Sequence, residues 1–193
     1  MCAANNIGGY PIPPEWWSRV YEYPWAMCYA GRNMVVADMG CGYEPRPLKD
    51  ALSAVCRTVY AVDANDGLLT QPKPDNVEFI VADFTRPIPA IPDGSLDRVF
   101  CISVLEHLGD KIPAALAEFY RCLRRGGLCV LTCDVQYDDS LPCDISPGMD
   151  ITTLQPAARS AGFRYDVFDY DKTDAMHSEQ FNLCVYHALL VKI

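Results

Sequence analysis

The chain has 193 residues, 50% of them hydrophobic and 21% charged, which is enough to bury the core of one ordinary domain and too apolar for disorder. Its 16 basic and 25 acidic residues leave a net charge of −9, which argues against nucleic acid as a partner because backbone binding relies on Lys and Arg to displace counterions. The longest apolar runs are too short to span a bilayer, and Met1 is followed by Cys2, Ala3, Ala4 and two asparagines rather than a signal sequence, so a cytoplasmic protein with no membrane partner is expected.

Residues 1–32 form an N-terminal extension or lid in this reading, and 33–193 a single domain. Within the extension, "PEWWSRVYEYPWAM" (14–27) holds all three tryptophans with Tyr21 and Tyr23, and Arg19 and Glu22 are spaced to pair across one helical turn. Such a segment either closes over a site or seals a sheet edge, because both leave the same aromatic trace. From residue 33 short β-rich runs alternate with helical patterns. "NMVVADMG" (33–40) is a continuous apolar run ending in glycine, as expected of a strand buried on both faces. A helix over 48–56 follows, then strands over 58–63, 77–83 and 95–103. A helix is predicted from Lys111 to Leu123, with Ile112, Leu116, Phe119 and Leu123 on one face and "RRGG" as its stop. "LCVLTCDV" (128–135) gives a fifth strand, "MDITTLQPAARSAGF" a short helix restricted by Pro156, and 164–170 and 183–193 two last strands. Strands alternating with helices imply a parallel sheet covered on both faces, and the last two strands an antiparallel hairpin at one edge.

The ten cysteines include no CxxC pair, and several lie inside apolar runs (Cys101, Cys129, Cys133), so free buried thiols are expected and no metal site. Arg121, Arg124 and Arg125 sit where a helix ends, and complementing the helix dipole explains them without a ligand.

In such a sheet, ligands bind beyond the carboxyl ends of the strands. Each apolar run ends there in a polar or small residue: Asp38 to Gly42, Asp63, Asp83 with Phe84, and Ser103. Gly40 and Gly42 suit close approach of a ligand to the backbone, and Asp63 is placed to accept from two ribose hydroxyls. NAD, FAD and S-adenosylmethionine all present such a ribose. A dinucleotide needs a helix N-terminus directly behind the glycines, whereas here Glu44, Pro45, Arg46 and Pro47 intervene. Prolines donate no amide hydrogen and Glu44 repels phosphate, so the turn favours a cofactor without phosphate.

The stretches "VVADMGCG", "YAVDAN", "VADF", "DGSLDRVFCISVLEHL" and "FYRCLRRGGLCVLT" resemble the class I S-adenosylmethionine-dependent methyltransferases in order and spacing over residues 33–135. That resemblance implies a doubly wound, mostly parallel seven-stranded sheet of the Rossmann-like methyltransferase type, ending in an antiparallel hairpin. It implies S-adenosyl-L-methionine as cofactor. Asp38, Gly40, Cys41 and Gly42 would wrap its methionine end, Asp63 would hold the ribose, and Ala64 would lie against the adenine. Asp83 and Phe84 would meet the adenine edge, with Ser103 and Val104 forming the floor under the sulfonium. Glu44 departs from the family's small third residue in the first turn.

His107, close behind Ser103, is a candidate general base, although the "EHL" triplet recurs among relatives of varied chemistry and serves equally as a helix start. Glu106 is a weaker candidate. The acceptor expected is a small molecule methylated at oxygen, nitrogen or carbon. The acidic loop 134–150 suits a neutral or cationic one, and an ordinary solvated loop equally explains its charges. Two other readings stay open: a catalytically silent cofactor-binding subunit of a partner enzyme, and an NAD-dependent oxidoreductase.

Overall fold

The computed structural model describes residues 3–43, 47–141, 151–166 and 176–193. A hairpin of β1 (Asn6–Ile7) and β2 (Tyr10–Pro11) precedes helix α1 (Arg19–Met27). Gly8 and Gly9, both at positive φ (56° and 87°), make its two-residue turn, the backbone shape that matches the twist of paired strands. Next come β3 (Val35–Met39), α2 (Pro47–Val55), β4 (Thr58–Asp63), β5 (Val77–Val81) and β6 (Leu96–Ile102). Helix α3 (Ile112–Cys122) leads into the long β7 (Leu123–Gln136). The described chain ends with α4 (Ile151–Ser160), β8 (Phe163–Asp166), the short β9 (His177–Ser178) and β10 (Leu183–Lys192).

The main sheet runs β5-β4-β3-β6-β7-β10-β8, with β9 added to β10. Strands β5, β4, β3, β6 and β7 are mutually parallel, and β10 enters antiparallel between β7 and β8. The period of two along each strand divides the core into two layers. Ala37, Met39, Val99, Cys101, Cys129 and Leu131 pack under α3 and α4 with Leu116, Phe119, Leu154 and Ala158. Val36, Phe100, Ile102 and Val130 face the other way, toward Tyr23 and Ala26 of α1 and Leu48 and Leu52 of α2. The sheet is thus covered on both faces, and the N-terminal segment is part of that cover.

Two expectations shift. "RRGG" does not stop a helix. Helix α3 ends at Cys122 and Leu123 is already extended (φ −69°, ψ 141°), so the chain turns straight into β7. Pairing with β6 steps from Leu96↔Leu123 to Arg98↔Leu128, so the four residues form an irregularity in the strand, with Gly126 at φ 74°. The basic cluster also does more than face a dipole. Arg121 bonds both oxygens of Glu118 (2.6 and 2.8 Å), the carbonyls of Ile88 and Ile91 (3.1 and 3.0 Å) and Asp93. Arg124 donates to Asp97 (2.7 Å), whose other oxygen accepts from the Val35 amide at the start of β3 (2.8 Å). These cations are engaged within the molecule.

The described cysteines are all free, and all but Cys28 are buried. Among the described residues no helix is long and apolar enough to cross a membrane, and no group of three His, Cys, Asp or Glu is placed to hold a metal ion. Glu44, Pro45 and Arg46, part of the acidic loop (142–150) and the end of the penultimate predicted strand (167–170) lie outside the described residues.

Glu118 is 4% exposed and also accepts from the Ile88 amide (2.8 Å). Glu118→Ala leaves that amide and the Arg121 fork without their partner, and should cost about 2–4 kcal/mol in urea unfolding. A loss below about 0.5 kcal/mol, the range of an ordinary surface substitution, would mean that this network does not hold the 86–95 segment to α3.

Candidate functional site

The parallel strands end on one rim, and a cavity of about 550 Å³ opens there, within the ~300–1,000 Å³ range of small-molecule sites. The end of β3 and the turn after it supply Asp38, Gly40, Cys41 and Gly42, and the end of β4 and the turn after it supply Asp63 and Ala64. Ser103, Val104 and His107 come from the segment after β6. The structure therefore brings together every candidate site residue except Asp83, Phe84 and the weaker candidate Glu106, which do not line this cavity. The Asp83 carboxylate instead accepts from the Thr85 amide (3.0 Å) and hydroxyl (2.7 Å), and the Phe84 ring packs in the core against Phe119 at 5.5 Å between centroids.

The glycine turn has little slack. The amides of Gly40 and Cys41 both donate to the Val62 carbonyl at the end of β4 (2.8 and 3.1 Å). A Cβ on Gly40, which sits at φ 78°, would fall 2.6 and 2.7 Å from the two γ-methyls of Val104. Only glycine lets the turn lie flat against the segment after β6. Asp63 joins the two loops: one carboxylate oxygen accepts from the Gly42 amide and the other from the Asn65 amide, each at 2.9 Å. A carboxylate offers about four acceptor directions, so Asp63 can hold both loops and still accept hydroxyls from a ligand. The Cys41 thiol is no nucleophile: burial, then Asp38 and Asp63, push it far up, so it stays protonated.

Sequence reasoning missed what α1 contributes. Arg19 and Tyr23 line the same cavity, and Glu22 lies fully buried behind them. The pair expected from spacing exists, with Arg19 Nη1 2.5 Å from Glu22 Oε2. Its other partners were not legible. Glu22 Oε1 accepts from the Ser103 hydroxyl at 2.6 Å and also from the Thr132 hydroxyl on β7. Burial pushes the Glu22 carboxyl up, but Arg19 and the hydroxyls of Ser103, Thr132 and Ser18 outweigh it and hold the group ionised. Ser103 takes a left-handed φ of 49°, rare outside glycine, and this network keeps it there.

His107 sits exposed at the rim in a short 3-10 turn (Leu105–His107), and partial burial together with the Arg19 charge lowers its pKa. It is neutral at pH 7 and so able to accept a proton. Glu106 points the other way, into the protein. It is 2% exposed, accepts from the Asp134 amide through Oε1 (3.1 Å), and has no partner at Oε2. Beyond Arg19 lies a second cavity of about 230 Å³, lined by Glu15, Trp16, Trp17, Ser18, Arg19 and Asp134. Arg19 borders both.

Residues 37–131 match the family described as a methyltransferase domain. The chain is 30% identical over 155 residues, 75% of its length, to an uncharacterized chloroplastic methyltransferase of Arabidopsis thaliana, and spans 42% of that relative. Among solved structures, a Mesorhizobium loti S-adenosylmethionine-dependent methyltransferase is similar at TM-score 0.71 and 15% identity, covering 93% of this chain and all of the other. A Haemonchus contortus phosphoethanolamine N-methyltransferase in complex with S-adenosyl-L-methionine is similar at TM-score 0.66 and 15% identity, over 91% of this chain and 52% of the other. The likeness to these two structures is one of fold. The cavity fits an adenosyl cofactor on its own evidence: a cradle that any Cβ would fill, and a carboxylate with acceptor capacity at the junction of two loops.

The buried acid predicts a pH signature. Burial, then Asp134, raises the Glu106 pKa from the ordinary 4.5 to about 8. The unfolded chain ionises this group near 4.5 while the folded one keeps it protonated, so its contribution to stability is full below pH 4.5 and is lost as pH rises through 8. Glu106→Gln cannot titrate. The difference in melting temperature between variant and wild type should therefore move in favour of the variant from pH 5 to pH 8.5. A difference that stays constant over that range would contradict the buried acid.

Proposed function

Because the chain belongs to the class I S-adenosylmethionine-dependent methyltransferase family, we propose that it transfers a methyl group to a small-molecule acceptor bound beside the 550 Å³ cavity. The cofactor is S-adenosylmethionine, which supplies an electrophilic methyl carbon on a sulfonium with a good leaving group. The protein's work is therefore alignment and exclusion of water rather than bond activation. The observation that carries this reading is Asp63, whose two oxygens hold the amides of both cavity loops while facing the space between them.

In this reading Asp38 to Gly42 take the amino-acid end, where closely approached backbone and a carboxylate suit an ammonium group. Asp63 accepts from the ribose hydroxyls, and Ala64 and Asn65 border the adenine. Ser103 and Val104 form the floor. The N-terminal segment is a wall rather than a detachable flap, since α1 is tied into the sheet through Glu22. His107, neutral and at the rim, is available as a base for acceptors that must lose a proton.

Calorimetric titration with S-adenosylhomocysteine tests the site, and formation of that product from S-adenosylmethionine over a panel of small nucleophiles tests the reaction. Asp63→Ala should weaken binding by at least about tenfold, through lost ribose contacts and looser loops. Unchanged affinity in that variant would contradict the site as drawn. Tight binding without turnover of any acceptor would shift the reading to a silent cofactor-binding subunit.

A further inference from the structure

We propose that the smaller cavity is the acceptor subsite and takes a planar ring bearing an acidic hydroxyl, a phenol or an enol, with Asp134 receiving its proton. This rests on the larger cavity being the seat of S-adenosylmethionine. At about 230 Å³ the smaller space is below the size of an ordinary cofactor pocket but accommodates a single ring. Trp16 and Trp17 flank it, and Trp17 is itself held against Phe181 at 6.4 Å between ring centroids. Indole rings pack well against another flat ring, offset or edge to face.

The polar atoms narrow the class further. Two buried side-chain atoms belonging to this wall have no hydrogen-bond partner: Arg19 Nε, a donor, and Asp134 Oδ1, an acceptor. Asp134 is 8% exposed. Buried polar atoms are rarely left unpaired, because an unmade bond leaves their lost hydration uncompensated. A hydroxyl can both accept and donate, so it is the simplest group that matches a wall offering one donor and one acceptor. An ammonium can only donate and meets the guanidinium as a like charge. A carboxylate or phosphate can only accept and meets Asp134 and Glu15.

The surroundings suit Asp134 to the transfer. Arg19 and Glu22 face it from α1, and Glu106 from the turn after β6. Burial and then Glu22 raise its pKa, against Arg19, to about 7, the range in which a general base works near neutral pH. In the step, the acceptor O–H gives its proton to Asp134. The oxygen lone pair forms the new O–CH3 bond as the S–CH3 bond breaks, and that bonding pair stays on sulfur. Asp134 then releases the proton to water. Arg19, which borders both cavities, lies beside the oxygen as negative charge gathers on it.

The test uses calorimetric titration with 4-methylphenol and benzylamine as probes, with S-adenosylhomocysteine titrated separately in every variant. The phenol should bind at least about tenfold more tightly than the amine. Trp17→Ala and Asp134→Ala should each weaken phenol binding by at least about fivefold while S-adenosylhomocysteine binds as in the wild type. With 4-methylphenol as acceptor, kcat/KM should rise with an apparent pKa near 7, and Asp134→Asn should lose both that rise and most of the turnover. Preference for benzylamine, absence of phenol binding, or phenol affinity indifferent to both variants would overturn the acceptor subsite while leaving the cofactor site intact. Absence of S-adenosylhomocysteine binding in the wild type would instead overturn the cofactor reading, and this inference with it.

Discussion

One buried carboxylate organises the site. Glu22 reaches from α1 to the carboxyl rim of the sheet, and its oxygens join Arg19, Ser103 and Thr132, residues from α1, the end of β6 and the middle of β7. A fully buried carboxylate loses several kcal/mol of hydration and stays ionised only where hydrogen bonds and a counter-charge replace the lost water. Here the two hydroxyls and the guanidinium do so. Removing Glu22 would therefore take the counter-charge from the partly buried Arg19 and the acceptor from two buried hydroxyls, and would loosen the hold on Ser103 in its left-handed backbone. The wall of the larger cavity and the position of Arg19 between the two cavities both depend on this contact.

The sheet supplies the rest of the geometry. Because strand residues alternate between faces, Val36 and Asp38 share the side of α1 and α2 while Ala37 and Met39 face α3. The last residue of β3 on the α1 and α2 side is thus acidic and buried, directly before the glycine turn. Strand β4 ends in Asp63, which works on the backbone of both neighbouring loops. The site is built from strand ends and short turns rather than long loops, which suits a reaction whose main demand is alignment.

Most of the fold is legible in local pattern. "TVYAVD" is strand β4 residue for residue, and the periodic helices α2 and α3 fall within one or two residues of their expected bounds. The β1–β2 hairpin is not legible although Gly8-Gly9 suits a two-residue turn, because the flanking strands are too short to show alternation. "RRGG" misled because glycine past a helix and glycine in a strand irregularity look alike in sequence. The cavity's glycines and Asp63 were readable from their positions at strand ends. Glu22 was readable only as the local partner of Arg19: its bonds to Ser103 and Thr132 span 81 and 110 residues, and nothing in either segment marks them. Asp134 falls both in the fifth predicted strand (128–135) and at the start of the acidic loop (134–150), and its burial at the end of β7 is not visible in either pattern.

The central claim is that the turn at Gly40–Gly42, the Asp63 junction, the segment after Ser103 and the face of α1 together enclose one adenosyl ligand. Amide hydrogen exchange with and without S-adenosylhomocysteine tests it directly. The account predicts added protection confined to residues 19–23, 40–43, 63–65 and 102–107. Protection elsewhere on the sheet, or protection that spares α1, would contradict it.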